Sequence, residues 1–200
     1  MGRYKKTAEV IPKINKKILL LFGIFAILSA FIWILSAIII NPEFNFFSGA
    51  LSQLGSKGAN YPWVYNTGLI LTALLLFIFA IGLLVYSKNK IEEAGSSFLM
   101  IAAIFLALIG VFHGGTYPHD FVSVYFFIQS GLAIITLGIG LLLESKKQGV
   151  IILLLAVAAI ACAEIIKNFV STAVLETFGT AAISLFAILM ILFFNNRENK

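Results

Sequence analysis

The feature that most restricts the fold of this chain is a series of six apolar runs, each about as long as a helix that crosses a bilayer. Helices are expected because the hydrocarbon layer offers the backbone no water, and because the runs lack the alternation of barrel strands. The predicted fold class is therefore all-α, a polytopic transmembrane bundle of six helices. We place the spans at 17–40, 63–86, 97–114, 119–143, 148–167 and 172–194.

The composition agrees with a membrane protein, since 60% of the residues are hydrophobic and only 12% are charged. A basic segment precedes the first apolar run, but that run is too long for the core of a signal peptide and is kept as a spanning helix. The predicted organisation is a basic cytoplasmic segment at 1–16, a six-helix domain at 17–194 and a cytoplasmic tail at 195–200.

The distribution of basic residues predicts the orientation. Nearly all of them lie in the N-terminal segment, in the loops after the second and fourth helices, and in the tail, whereas the other side carries only Lys57 and Lys167. The positive-inside rule then predicts that both termini are cytoplasmic. We expect a multi-pass protein of a prokaryotic plasma membrane, because no organellar signal is recognisable.

The net charge of +5 is thereby explained by topology. The chain has no Walker loop, no dinucleotide fingerprint and no nucleic-acid-binding aromatic set, so neither nucleotides nor nucleic acids are expected partners. Membrane lipids are the expected partners. Small residues at Gly131, Gly138 and Gly140 would allow close helix contacts within or between chains, which leaves a homo-oligomer open.

The candidate site lies on the predicted extracytoplasmic side. Both histidines, His113 and His119, and the sole aspartate, Asp120, fall within eight positions. A helix that starts near Pro118 would place Ser123 one turn from His119 on the same face. Ionisable groups at membrane depth are costly and usually mark function. The candidate catalytic residues are His119, Asp120, Ser52 and Glu176, and the candidate binding residues are Asn66, Ser123, Glu43 and His113.

Two chemistries are compatible with these residues. In the first, His113, His119 and a carboxylate hold a divalent metal such as zinc with an open fourth position, although their spacing matches no standard zinc signature. In the second, Ser52 or Ser123 attacks an ester and His119 acts as the base.

Asp120 or Glu176 would orient His119 in the second chemistry. Adjacent residues on a helix point about 100° apart, which makes Asp120 the poorer orienter. Glu176 is better placed if the fourth and sixth helices touch.

Structural roles compete with these functional ones. Asp120 could simply favour a helix N-terminus, and Glu164 could pair with Lys167 along one helix face. The histidines could be hydrogen-bonded residues of the interface. Several aromatic residues, namely Tyr61, Trp63, Tyr65, Tyr117 and Phe121, are more typical of an interfacial belt than of a substrate cage.

A resemblance to one family is carried by the motifs at 41–55 (NPEFNFFSGALSQLG), 65–69 (YNTGL), 110–112 (GVF), 118–120 (PHD) and 125–127 (YFF). Over roughly 15–195, the chain resembles the membrane family catalogued as domain of unknown function 998. This resemblance implies a six-helix membrane protein without a settled activity.

The chain is also distantly similar to the Frag/DRAM/Sfk six-helix proteins, mainly at Ser52, Gly55, Asn66 and His119. That similarity implies lipid remodelling or its regulation, and it favours His119 over His113.

The function expected from these observations is lipid handling at an extracytoplasmic His/Asp/Glu site, by acyl transfer, ester hydrolysis or lipid binding. A cluster of titratable groups beside apolar, aromatic loops suits an amphiphile better than a soluble metabolite. Whether the protein is an enzyme stays open. The alternative is a non-catalytic small transporter, lipid sensor or membrane scaffold, although no broken-helix pair typical of transporters is visible.

Overall fold

The structure is a computed structural model that describes residues 16–195, so the predicted N-terminal segment and the end of the tail lie largely outside the described residues. The described chain forms six α-helices and one short 3-10 helix at Leu51–Gly55. The α-helices are α1 (Lys16–Ile40), α2 (Pro62–Tyr86), α3 (Lys90–Val111), α4 (His119–Glu144), α5 (Lys146–Ile166) and α6 (Thr172–Asn195).

All six α-helices are long and apolar enough to span a bilayer, with 21 to 26 residues and mean hydropathies of 2.1 to 2.9 over their most apolar windows. The prediction of an all-α bundle with six transmembrane helices is therefore confirmed. Five of the six spans begin within two residues of the predicted positions.

The start of α3 was predicted wrongly. The segment 87–96 was expected to be a connector, but α3 begins at Lys90. Asn89 caps the helix, because its side-chain oxygen accepts hydrogen bonds from the backbone N–H groups of Ile91 (3.1 Å) and Glu92 (2.9 Å). The first turn of α3 contains charged residues, so its low hydropathy suggested a connector. One of these residues, Glu92, is nevertheless completely buried. At its other end α3 stops at Val111, three residues earlier than predicted.

The first four helices pack in sequence order, each against the next, and α6 returns to contact α1 and α5. Close approach between helices depends on small residues, as is usual inside membranes. A side chain at Gly95 of α3, for example, would meet the backbone nitrogen of Leu137 on α4 at 2.8 Å. In contrast, α4 and α6 barely touch each other. The space between them is a cavity.

Three connections lie at one end of the bundle, which we call the His119 end: the α1–α2, α3–α4 and α5–α6 loops. Because the number of helices is even, both ends of the described chain lie at the opposite end. Hydrogen bonds join the first and third of these loops. The Ser171 hydroxyl donates to the carbonyl of Phe46 (2.7 Å), and the Ala173 N–H donates to the carbonyl of Gly49 (2.9 Å).

The α1–α2 loop is also closed on itself. The Asn41 side chain accepts a hydrogen bond from the backbone N–H of Asn60 (2.6 Å) and donates to the Asn60 carbonyl (3.1 Å). It donates further to the carbonyl of Ala37 in α1 (2.8 Å). Asn41 thus fixes both ends of the loop to the end of α1, and the 3-10 helix is held over the His119 end.

Candidate functional site

A cavity of about 720 Å³ lies between α4, α5 and α6 and is closed at the His119 end by the 3-10 helix and the residue before it. This volume is within the range of about 300–1,000 Å³ that is typical of sites for small molecules. Along α4 the lining extends from His119 to Ile134, which corresponds to about 22 Å at the helical rise of about 1.5 Å per residue. The cavity is therefore elongated along the bundle axis.

The polar groups of the cavity are concentrated at one end. Six of the polar lining residues lie at the His119 end, either in the first two turns of α4 and α6 or in the 3-10 helix, and one lies deeper. The six are Ser52, His119, Asp120, Ser123, Thr172 and Glu176, and the deeper one is Ser130. The remaining lining residues are apolar or glycine. The cavity thus has a polar end and an apolar end.

The cavity opens sideways onto the surface that faces lipid. Val124 and Ile128 of α4 and Ile160 of α5 all line it, and their side chains are about half exposed. An exposed side chain on a membrane-spanning helix contacts hydrocarbon, so these residues border both the cavity and the bilayer.

Small side chains create the space. Ala156, Ala159 and Ala163 form a stripe on α5 that lines the cavity. Gly131 faces it from α4, and a methyl group at this position would meet nothing within 4 Å. Gly138, also on α4, differs, because a methyl group there would lie 2.9 Å from the side chain of Leu153 in α5. Gly140 resembles Gly138, because a methyl group there would lie 2.9 Å from the backbone nitrogen of Glu92 in α3. Of the three glycines expected to permit helix contacts, Gly138 and Gly140 do so and Gly131 borders the cavity.

His119 occupies the first position of α4 and is only 7% exposed. Its Nδ1 lies 2.8 Å from the backbone carbonyl of Phe112, at the end of α3. A carbonyl can only accept, so Nδ1 carries a proton, and in neutral His119 the lone pair is on Nε2. Nε2 is 3.5 Å from the hydroxyl oxygen of Ser123, one turn along the same helix. The structure therefore brings His119 and Ser123 together at the polar end of the cavity.

Glu176 lines the same end of the cavity from α6. Its Oε2 accepts a hydrogen bond of 2.7 Å from the backbone N–H of Leu51, at the start of the 3-10 helix. Leu51 is 2% exposed, so this bond satisfies a backbone donor that water cannot reach. The carboxylate that was a candidate orienter of His119 thus holds the α1–α2 loop.

Asp120 and Ser52 also line the cavity, each in a different setting. Asp120 is exposed in the first turn of α4, where a negative charge is favourable. Ser52 is half-buried, and its carbonyl lies close to Gly114 in the α3–α4 loop, since a methyl group at Gly114 would be 2.6 Å from that oxygen. Ser52 thus brings the two loops together at the polar end of the cavity.

The other three candidate residues lie outside the cavity lining. The Asn66 side chain donates to the carbonyl of Gly55 (2.9 Å) and so fixes the end of the 3-10 helix to α2. His113 is half-buried, with Nδ1 3.0 Å from the carbonyl of Gly114. Glu43 is exposed in the α1–α2 loop.

The metal-binding hypothesis finds no geometric support among residues 16–195, where no group of three or more His, Cys, Asp or Glu side chains could hold a metal ion. The nearest polar partner of Nδ1 in each histidine is a backbone carbonyl. The proposed pairing of Glu164 with Lys167 is confirmed as an ion pair near the end of α5.

The deepest polar group in the cavity is Ser130, which is 2% exposed. Its hydroxyl has no hydrogen-bond partner among the described residues. A buried hydroxyl without a partner is unusual, because desolvation of a polar group costs about 1–3 kcal/mol. Ser130 is therefore a polar contact available to a molecule that fills the cavity.

Reasoning from the sequence missed two partners of the site, the carbonyl of Phe112 and the N–H of Leu51. Both are backbone groups, so no residue type marks them. It also missed the alanine stripe of α5. That stripe is visible in the sequence as small residues at helical spacing, but such a stripe is more typical of a helix contact than of a cavity wall.

Comparison with known proteins identifies one relationship. The model of the family described as "Protein of unknown function (DUF998)" matches residues 24–192. No curated protein and no solved structure matches the chain. The predicted resemblance to this family is thereby confirmed, whereas the distant similarity to the Frag/DRAM/Sfk proteins stays a prediction.

Proposed function

Because the chain belongs to the DUF998 family, whose description names no activity, we propose a function from the cavity itself: the protein binds a membrane lipid, with the polar headgroup at the His119 end and a hydrocarbon chain between α4, α5 and α6. The observation that carries this proposal is the polarity of the cavity. It is polar at one end, apolar along the rest of its length, and open to the bilayer at its side.

The depth of the cavity suits one leaflet. From Ser123 to Ile134 the axial distance is about 16 Å, and half of the hydrocarbon layer measures about 15 Å. A lipid held with its ester groups near Ser123 would place its chain at the depth that it occupies in the bilayer. Little reorganisation of the ligand is then needed on entry.

The distribution of charge suggests which leaflet this is. The end of the bundle opposite His119 carries Lys88 in a loop and Lys90, Lys146 and Lys147 in the first turns of α3 and α5. By the positive-inside rule we take that end to be cytoplasmic. The proposed ligand is then a lipid of the extracytoplasmic leaflet, and the proposed host remains a prokaryotic plasma membrane, as expected from the sequence.

Two adjacent alanines on α5 allow a direct test. Ala159 lines the cavity, whereas Ala158 is exposed on the neighbouring face and does not line it. Ala159→Leu should fill the cavity and Ala158→Leu should not, although both add the same group to the same helix.

The measurement is native mass spectrometry of protein purified in dodecyl maltoside and supplemented with the dialkyl ether analogue of phosphatidylglycerol, which carries no acyl ester. We expect one retained lipid in the wild type and in Ala158→Leu, and its loss in Ala159→Leu. A wild-type protein without bound lipid, or equal retention in both variants, would contradict the proposal.

A membrane scaffold is the second candidate function, and specific contacts favour it. Glu176 accepts a hydrogen bond from the backbone N–H of Leu51 and Asn66 donates to the Gly55 carbonyl, both in the α1–α2 loop. His119 contacts the backbone at the end of α3. A scaffold needs these bonds but needs neither the hydroxyl of Ser123 nor that of Ser130. Loss of lipid retention in Ser130→Ala with unchanged thermal stability would favour lipid binding over the scaffold.

A further inference from the structure

We infer that Ser123 and His119 form a nucleophile–base pair that cleaves the acyl ester of the lipid held in the cavity, an inference that rests on the lipid binding proposed above. The two residues are four positions apart at the start of α4, which places them on one helix face. Both line the polar end of the cavity. A substrate ester that reaches this end therefore meets the pair directly.

The tautomer of His119 suits a general base. Its Nδ1–H donates to the Phe112 carbonyl at 2.8 Å, which holds the ring in place and leaves the lone pair of Nε2 for Ser123. The 3.5 Å between Nε2 and the Ser123 oxygen is long for a hydrogen bond. Such distances are common in catalytic sites without substrate and shorten when the substrate binds.

The geometry selects Ser123 over Ser52 as the nucleophile. Both hydroxyl-bearing residues line the cavity, but the hydrogen bond of His119 Nε2 is to Ser123. The partner of His119 Nδ1 is the Phe112 backbone carbonyl, where a usual triad has a carboxylate. The Glu176 carboxylate does not take this place, because it accepts from the Leu51 N–H. A carbonyl orients the imidazole but neutralises its positive charge less than a carboxylate would.

The start of α4 adds a partial positive charge beside the pair, which the Asp120 carboxylate of the same turn partly offsets, and the His119 N–H itself donates to the Thr116 carbonyl (3.1 Å). The N–H groups that begin a helix lack partners within it and form the positive end of the helix dipole. Because His119 is the first residue of α4, the reacting groups lie beside this end. An ester oxygen that becomes negative near Ser123 is favoured there.

The chemical step balances without a further reactant other than water. The Ser123 oxygen bonds to the ester carbonyl carbon while its proton moves to His119 Nε2. The carbon–oxygen bond to the alcohol then breaks, and the alcohol oxygen takes the proton from Nε2, leaving acyl-Ser123. Water attacks this ester in the same way, releases the fatty acid and regenerates Ser123. The apolar part of the cavity, toward Ile134 and Ile183, would hold the acyl chain throughout.

The experiment uses a long-chain alkyl fluorophosphonate on the full-length protein in nanodiscs, followed by intact mass measurement and peptide mapping. In parallel, release of fatty acid is measured from phosphatidylglycerol with isotopically labelled acyl chains. The expected result is a single adduct on Ser123 and release of labelled fatty acid. Both should be abolished in Ser123→Ala.

His119→Asn provides the matched variant for the base. The asparagine amide nitrogen takes the place of Nδ1 and still donates to the Phe112 carbonyl, but nothing replaces Nε2. The rate of adduct formation should therefore fall by about 100-fold or more, as is typical when a general base is lost, while thermal stability stays near that of the wild type. A purely structural role of His119 predicts an unchanged rate in this variant.

The outcomes separate this inference from lipid binding. Retained lipid without adduct and without released fatty acid would overturn the catalytic pair and leave binding intact. An adduct on Ser52 would overturn the choice of nucleophile. The absence of lipid, adduct and released fatty acid together would overturn both proposals.

Discussion

Two glycines on α4 offer a direct test of the cavity, because they differ only in what a side chain would meet. A methyl group at Gly131 meets nothing within 4 Å, whereas one at Gly138 lies 2.9 and 3.0 Å from side-chain atoms of Leu153 and 3.2 Å from Ile152. Both residues lie within α4 and are seven positions apart, so they share almost the same orientation on the helix. Gly131→Ala and Gly138→Ala therefore form a matched pair.

The expected magnitudes follow from these contacts. Replacing glycine by alanine in a helix contributes up to about 1 kcal/mol, and this gain is common to both variants. The crowding at Gly138 costs about 1–3 kcal/mol, which is the usual range for overpacking. Gly131→Ala should keep or raise the free energy of unfolding, and Gly138→Ala should be about 1–3 kcal/mol less stable than Gly131→Ala.

The assay is unfolding in mixed micelles by titration with sodium dodecyl sulfate, followed through the fluorescence of the two tryptophans. The difference between the variants is the informative quantity, because helix retained in the unfolded state affects both equally. Equal destabilisation of the two variants would show that position 131 is packed and that no cavity borders α4 there. Unchanged stability at both positions would show that α4 and α5 are not in close contact at Gly138.

Substitutions at three further positions test contacts that hold the bundle, all by the same unfolding assay. Glu176→Ala leaves the buried N–H of Leu51 without its acceptor and should cost about 1.5–3 kcal/mol, whereas Glu176→Gln, which keeps an acceptor, should cost less; equal losses would show that the bond is not made. Asn89→Ala removes the cap of α3 and should cost about 1 kcal/mol in the free energy of unfolding. An unchanged stability would show that Asn89 does not cap the helix and would favour the predicted start near residue 97. Ser29→Ala removes the 2.8 Å hydrogen bond to Thr72 and should cost only about 0.6 kcal/mol; a larger loss would indicate a wider polar network.

The sequence predicted the helices well because length and apolar character are imposed by the bilayer itself. It failed at the start of α3, where Lys90, Glu92 and Glu93 lower the hydropathy of a segment that is nevertheless helical. Asn89, a residue type that favours helix N-caps, indicated the true start of α3. The charged residues after it nevertheless led to the prediction of a connector. Hydropathy indicates which segments are apolar enough to face lipid. It does not detect a charged residue such as Glu92, which is buried against protein close to Gly140.

For the candidate site, the sequence predicted the residues better than their roles. Ser52, His119, Asp120, Ser123 and Glu176 all line one cavity. Their hydrogen bonds could not be predicted, because the partners of His119 and Glu176 are backbone groups whose positions depend on how the loops cross.

The cavity itself was equally hidden from the sequence. It exists because α4 and α6 are held apart, and this separation depends on the packing of the whole bundle. No single residue pattern encodes such a distance.

The hydrogen bonds between the first and third loops have a consequence for how the protein is made. The ribosome delivers α1 and the α1–α2 loop first, and Asn41 can close that loop on itself at once. The partners that fix its centre, Ser171, Ala173 and Glu176, are delivered with the last helix. During synthesis the cavity therefore lacks the side formed by α6, and the α1–α2 loop is not yet fixed over its polar end, until α6 has entered the membrane. A chain that stalls before α6 would be inserted but would lack a complete cavity.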